Sequence, residues 1–246
     1  MVSESANRVA IGICAYNDDE NIGDLLATLT NDPSTTESNI EQILIVASGC
    51  TDSTVSIVRA HASRDPRIEV IVENKREGKA KALNRILSSY RAEFLILVPA
   101  DVIPGPAAIQ SLVEALADNP DVGVVSGHPI PADDGNGLAA YAVRMIWRMH
   151  HRTLSLLDSE GNGAHATGEL MALRRGCVES LPDDIVNDDA YIGIETWKRG
   201  YKVKYRPEAL VYIAGPKNIV ELIHQRRRII TGHLQLKQRT GRFPST

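Results

Sequence analysis

The sequence predicts an α/β fold in which a mostly parallel sheet carries helices on both faces. Short apolar segments alternate with segments of helical spacing through the first half of the chain. Those apolar segments are near-continuous rather than alternating, the pattern of strands buried on both faces. One of them, Phe94-Leu95-Ile96-Leu97-Val98-Pro99-Ala100-Asp101, ends on a carboxylate. A charge directly after such a run sits at the carboxyl edge of the sheet, where open α/β folds bind ligands.

Residues 9–14 form the first apolar segment, and 19–30 follow with Ile22, Leu25, Leu26 and Leu29 on one helical face. Residues 40–47 are the next strand. Thr51-Asp52-Ser53 opens a helix through residue 63, with Thr51 or Asp52 as its cap. Residues 68–72 read as a strand, and 78–91 as a helix with Ala80, Leu83, Ile86 and Leu87 on one side. The strand 94–98 precedes a helix over 106–118, whose Pro106 suits a first turn. Residues 122–126 are a further strand. The second half is less regular. Residues 138–157 predict one long amphipathic helix with Leu138, Ala142, Met145, Ile146 and Met149 on its apolar side and Arg144, Arg148, His151 and Arg152 in a basic stripe. That helix either packs on the sheet with its cationic face wet, or lies on anionic lipid. A glycine-containing loop at 160–166 leads to a strand at 169–174. A helix at 188–199, a strand-rich stretch at 203–213 and a helix at 218–238 complete the chain, which has no internal repeat or linker and is expected to be one domain over 1–246.

The chain has 246 residues, 43% of them hydrophobic, which is ample for a buried core. A net charge of −4 and 4% aromatic residues give no footprint for nucleic acid. The charge is uneven, however. No acidic residue follows Glu221, while Arg226, Arg227, Arg228, Lys237, Arg239 and Arg242 do. Such a run is a solvated face, or it meets phosphates or an anionic membrane surface. Cys14, Cys50 and Cys177 form no CxxC pair, so neither a zinc site nor a disulfide frame is indicated. A cytoplasmic protein is expected, peripheral at or tethered to the inner face of a membrane. The start lacks a signal peptide, and no run of about 18 apolar residues would span a bilayer. A longer natural protein with a membrane segment beyond Thr246 remains compatible with the sequence.

Several residues could carry chemistry, each beside a plainer reading. Asp101 is either a turn residue, made easy by the following Val102-Ile103-Pro104-Gly105-Pro106, or a metal ligand. Gly78-Lys79 precedes a helix, where a glycine, a helix start and an ammonium together favour an anion. No GxxxxGK[ST] or GxGxxG accompanies it. Asp188-Asp189 opens a helix, as ordinary dipole matching does, or supplies a general base. Gln225 and Arg228 are three apart on one helix face, and an arginine fork suits a diphosphate. Arg226 and Arg227 read as a basic solvated stripe. His128, His165 and His224 are scattered and read as structural or surface residues, His165 least so because it stands just before Thr167-Gly168.

Taken in order, these segments resemble the family 2 inverting glycosyltransferases of the GT-A fold, over roughly 9–236. Cys14-Ala15-Tyr16-Asn17-Asp18-Asp19-Glu20-Asn21-Ile22 is similar to that family's PxYNEExNI opening, and Val46-Ala47-Ser48-Gly49-Cys50-Thr51-Asp52 to its VDDGSTD segment. Gly78-Lys79-Ala80-Lys81-Ala82-Leu83-Asn84 resembles GKxxALN, and Pro99-Ala100-Asp101 resembles DxD. Thr167-Gly168 through Arg174-Arg175 resembles a TG…RR stretch, Asn187-Asp188-Asp189 a TED, and Gln225-Arg226-Arg227-Arg228-Ile229 the QxxRW of processive members.

The resemblance implies a Rossmann-like sheet with a nucleotide-binding half at about 8–131 and an acceptor-binding half at about 132–240. It implies a nucleoside-diphosphate sugar donor, with uridine the expected base, a glycan or lipid-linked acceptor, and no nucleic-acid partner. Ala15, Tyr16 and Asp18 would hold the nucleoside, Lys79 the diphosphate, and Asp101 a Mg²⁺ or Mn²⁺. Asp189, beside Asp188, would be the base, Thr167 and Gly168 would contact substrate, and Gln225 and Arg228 would close over the pyrophosphate. The sequence departs from the pattern in four places. Ala47 and Ser48 replace two carboxylates, Pro99 replaces the first Asp of DxD, Asp188 replaces Glu, and Ile229 replaces Trp. Two other readings stay open: a nucleotide- or membrane-surface-binding module with weak chemistry, and a sugar nucleotidyltransferase. The latter expects a glycine-rich basic loop after the first strand, where this chain has an acidic, glycine-free one.

Overall fold

A computed structural model describes residues 7–34, 38–132, 135, 137–160 and 165–241. Strand β1 (Val9–Ala15) leads through helix α1 (Ile22–Asn31) to β2 (Ile40–Ser48), and α2 (Thr54–Ala62) leads to β3 (Ile68–Glu73). Helix α3 (Lys79–Ser89) returns the chain to β4 (Phe94–Leu97). Then come β5 (Val102–Pro104), α4 (Ala108–Ala117), β6 (Val122–Pro131), α5 (Leu138–Ser159), β7 (Met171–Arg174), α6 (Asp188–Lys198), β8 (Lys202–Ile213) and α7 (Ile219–Thr240).

The strands form one eight-stranded sheet in the order β3-β2-β1-β4-β7-β6-β8-β5. β3, β2, β1 and β4 are mutually parallel, β7 runs antiparallel to both its neighbours, and β8 is parallel to β6. The reversal of β7 matters for function. Because Leu97 pairs with Met171, the residues entering β7 stand beside those leaving β4. Segment 167–170 and Asp101 therefore reach the same edge of the sheet.

Side-chain alternation along the strands divides the core into two layers. Ile11, Ile13, Leu25, Leu26, Val58 and Leu112 lie in one, beneath α1, α2 and α4. Leu44, Val46, Leu83, Ile86, Ile192 and Leu236 lie in the other, with α3, α6 and α7. Arg174 and Arg175 are structural ties: the first donates to the carbonyls of Leu116, Asn119 and Val122, and the second to those of Tyr90 and Ala92.

The structure corrects several expectations. Residues 102–104, expected to belong to no strand, form the antiparallel edge strand β5 against β8. Helix α4 begins at Ala108, because Ala107 adopts a left-handed conformation and leaves Pro106 outside. β6 runs on to Pro131, whereas β7 begins only at Met171. Helix α2 begins at Thr54, and of the two expected caps it is Asp52 that accepts the Thr54 N–H, at 3.0 Å. The expected loop 160–166 lies largely outside the described residues.

The largest correction concerns α5. Its buried side is Ala139, Val143 and Leu154, joined by half-buried Trp147 and His150. Leu138, Met145 and Met149, expected inside, face outward. Apolar residues encircle much of this helix, so its periodicity alone could not choose the packed side.

Candidate active site

The site is built where β1, β4 and β7 meet at one sheet edge. β1 ends at Ala15, and the turn after it is fixed by its own amides. Tyr16 N–H donates to Asp18 Oδ2 at 2.7 Å, and Asp18 N–H donates to Thr54 Oγ1 at 2.8 Å. Asn17, at φ 55°, accepts the Thr51 N–H through Oδ1 at 2.9 Å. The 16–19 turn is thereby locked to the start of α2.

The loop from Lys75 to Glu77 lies across the end of β2. Gly49 permits this, for its φ is 67° and an added Cβ would stand 2.3 Å from the Arg76 backbone nitrogen. Ser48, where the family pattern has a carboxylate, accepts the Glu77 N–H at 3.3 Å. Its hydroxyl therefore holds the loop. The result sets the Arg76 guanidinium 3.8 Å above the Tyr16 ring, a stacked pair at the mouth of the edge.

Asp101 lies exposed in the turn between β4 and β5. Burial raises the Asp18 carboxyl above its usual range, and the charges of Asp101 and Asp52 raise it further against the pull of the Tyr16 N–H. Asp18 and Asp101 thus feel each other across the edge. Two hard oxygen donors with mutual repulsion suit Mg²⁺ or Mn²⁺. Among the described residues no group of three or more His, Cys, Asp and Glu side chains is arranged to hold a metal ion. Asp101 and Asp18 thus suit a cation whose remaining ligands would be phosphate oxygens and water.

Across the edge, Lys79 at the start of α3 pairs with Asp188 at the start of α6, Nζ to Oδ2 at 2.9 Å. Half the Lys79 side chain is open to solvent. Burial of its ammonium end opposes the charge, but Asp188 and Asp189 more than restore it, so Lys79 stays protonated. Burial pushes the Cys14 thiol up to about 12, so it is no nucleophile at neutral pH.

Asp189 Oδ1 accepts the Ala190 N–H at 2.7 Å, and the Gly168 N–H supports the same carboxylate. Burial and the charge of Asp188 nonetheless push Asp189 up to about 6, against Lys79 and these amides. Behind it, burial and the Asp189 charge push Glu169 up to about 7. Thr167 is buried, with its N–H on Ser126 Oγ at 2.9 Å and its own Oγ1 unpartnered.

Helix α7 is docked onto this constellation by its backbone. Asn187 Nδ2 donates to the Ile229 carbonyl at 3.0 Å, and an added Cβ at Gly232 would fall 2.3 Å from Asn187 Oδ1. The docking turns Arg226 inward: it senses Glu169, its Nε is buried without a partner, and Nη2 reaches Gln225 Oε1 at 3.2 Å. The expectation of a solvated Arg226 is therefore overturned, since the packed face of α7 includes it. Gln225 is half-buried and Arg228 exposed, on the same stretch of helix.

Glu169, Arg226 and Arg76 were missed as site residues. Glu169 directly follows Thr167-Gly168, which was the available signal. Arg76 gave none, because its place depends on the close approach at Gly49. Of the three histidines read as structural or surface residues, His165 Nε2 meets His150 Nε2 at 3.1 Å, His128 stacks on His151 at 4.0 Å, and His224 is exposed.

The family described as Glycosyl transferase family 2 matches residues 10–181. The poly-beta-1,6-N-acetyl-D-glucosamine synthase of Staphylococcus aureus is 24% identical over 247 residues, covering 94% of this chain and 58% of that protein. The synthase of the same name from Staphylococcus epidermidis is 24% identical over 225 residues, covering 89% of this chain and 53% of it. The chain thus spans little more than half the length of these relatives. Among solved structures, a mannosyltransferase from Pyrobaculum calidifontis in complex with GDP-Man and Mn²⁺ superposes with a TM-score of 0.74 and 25% identity, over 98% of this chain and 67% of that one. A Mycobacterium tuberculosis glucosyl-3-phosphoglycerate synthase bound to Mn²⁺, UDP and glucosyl-3-phosphoglycerate gives 0.66 and 17%, over 98% and 82%. The fold is that of the GT-A glycosyltransferases.

Proposed function

The chain belongs to glycosyl transferase family 2, and we propose from its site that it is an inverting transferase. It moves a sugar from a nucleoside-diphosphate sugar, with uridine the preferred base, to the hydroxyl of a glycan or lipid-linked acceptor. The observation that carries this reading is Asp189: a carboxylate raised toward neutrality by burial and Asp188, at the sheet edge that also bears Asp18, Asp101 and Lys79.

In this reading the acceptor hydroxyl gives its proton to Asp189 as its oxygen attacks the anomeric carbon. The bond from that carbon to the departing diphosphate breaks on the opposite face. A base near the working pH is best matched to such a transfer. The Gly168 and Ala190 amides orient its carboxylate, and Lys79, held by Asp188, offers its charge to the diphosphate. Asp101, with Asp18 beside it, would hold the Mg²⁺ or Mn²⁺, which when bound neutralises phosphate charge. Gln225 and Arg228 would approach the diphosphate from α7, and Thr167 the transferred sugar. Ala15 and Tyr16, with Arg76 stacked on the ring, would bound the nucleoside. The nucleoside of the donor belongs to residues 8–131 and the acceptor to 132–240.

The test is Asp189→Asn, whose amide cannot take the proton. It is expected to keep the nucleoside-diphosphate thermal shift in Mn²⁺ and to lose transfer by about 10²–10⁴-fold. Retained turnover sinks the assignment of the base. Absence of both transfer and donor hydrolysis in the native chain leaves a binding module instead.

A further inference from the structure

We infer that the outward faces of α5 and α7 form one docking surface for an anionic lipid membrane. The two helices pack against each other. On α5, Leu138, Tyr141, Met145, Met149 and Leu156 recur at spacings of three and four, with one gap of seven filled by Arg152, and all are exposed, Leu138 by 72% and Met149 by 62%. On α7, Val220, Ile223, Ile230 and Leu234 form a second exposed stripe, in which Arg227 fills the gap. None of these side chains belongs to the core clusters of the described residues. It is the opposite side of α5, through Val143, Trp147 and Leu154, that meets the protein.

Charge decides the occupant. Arg148 and Arg152 stand exposed beside and within the α5 stripe, and Arg227 within that of α7. Among the described residues none of the three has an ion pair. No Asp or Glu lies between Leu138 and Leu157, and the one acid of α7, Glu221, is occupied by the Lys217 N–H and the Asn218 side chain. Large apolar side chains interleaved with arginines, without acids, match an interface of acyl chains and anionic headgroups. A second copy docking on the same face would set these arginines against themselves, with no carboxylate to pair them. Among the described residues no helix is long and apolar enough to cross a membrane.

The placement bears on the transfer reaction, and this consequence rests on the function proposed above. The Ile229 carbonyl holds Asn187, two residues from Asp189, while the next side chain, Ile230, faces outward. The start of α6, which carries the base, is thus held against the inner side of the helix whose outer side meets the lipid, across one helix diameter of roughly 10 Å. An acceptor carried by a lipid would reach the base without leaving the membrane.

Vesicle flotation of the full chain tests the surface without any donor. The chain is expected to bind vesicles of phosphatidylcholine with phosphatidylglycerol, to bind pure phosphatidylcholine weakly, and to dissociate with rising salt. Met149→Glu with Ile230→Glu is expected to cut the partition by about tenfold or more. Arg59→Glu with Arg64→Glu, on and just after α2, changes charge away from the face and serves as the comparison. Unchanged melting and nucleoside-diphosphate binding in the Glu variants show that the fold and donor site are intact, so failure here is distinct from failure of the transferase reading. No binding to anionic vesicles at low salt overturns the proposal. So does a native dimer in light scattering that the double Glu variant dissociates, which assigns the face to a second copy.

Discussion

The Lys79 ammonium lies 2.9 Å from the Asp188 carboxylate, joining the first residue of α3 to the first residue of α6. These residues are far apart in the chain, and each opens a helix at the same sheet edge. The pair sets the electrostatics of the base beside it. Lys79 pulls the Asp189 proton affinity down while Asp188 pushes it up.

Asp188→Asn removes a charge that raises Asp189 and leaves Lys79 free to lower it. A base of lower pKa loses its proton at lower pH. The acid limb of kcat/KM for transfer therefore moves to lower pH in this variant, provided turnover remains measurable. A pH–rate profile checks it, and an unmoved limb refutes the proposed coupling.

Asp101→Ala is expected to remove the Mn²⁺-dependent part of the stabilisation by UDP, as does chelation of the native chain with EDTA. Bound ligand at a hundred times its Kd contributes about 2.7 kcal/mol to stability, so the loss is visible as a lower Tm in a thermal-shift assay. The nucleotide-free melting of the variant is expected to match the native chain, because Asp101 is exposed.

Gly232→Ala separates docking from stability. Alanine in a helix interior gains about 1 kcal/mol over glycine, but its Cβ would meet Asn187 Oδ1, Cγ and Nδ2 at 2.3 to 2.8 Å. Asn187 must move, and Asp188 and Asp189 follow it. Transfer is expected to fall by about tenfold or more for a displacement of this size, while melting changes little. Circular dichroism melts beside steady-state rates test this.

Glu169 makes the fold pH-dependent. Its folded pKa of about 7 stands above the ordinary 4.5. The unfolded chain therefore releases this proton first, and stability falls as pH rises from about 4.5 to about 7. Glu169→Gln has no such proton. Its melting temperature relative to the native chain is expected to be higher at pH 8 than at pH 5, and an equal difference at both refutes the account.

Much of the fold was legible because it is local. The alternation of apolar runs with helical spacing marked β1 to β4 and their helices, whose strands are buried on both faces and so are apolar throughout. The carboxylate ending the β4 run located Asp101 at the functional edge. Short or context-dependent pieces were not legible. β5 is an edge strand of Val102-Ile103-Pro104, made by pairing with β8 rather than by its own composition. Ser48 gave no hint that it replaces a carboxylate with a loop tether, since its bond to Glu77 spans the chain between two strands.

The sequence by itself determined the α/β order, the sheet edge at which the acids collect, and the family to which the chain belongs. These follow from periodicity and from short motifs whose spacing survives in one dimension. Only the tertiary structure decided which side of each late helix is buried. Helices α5 and α7 carry apolar residues on more than one face, so apolar periodicity alone does not choose the packed side. Packing chose Val143, Trp147 and Leu154 on α5, and the contact of Gly232 with Asn187 rotated α7. That choice turned Arg226 toward Glu169 and left Met149 and Ile230 facing outward.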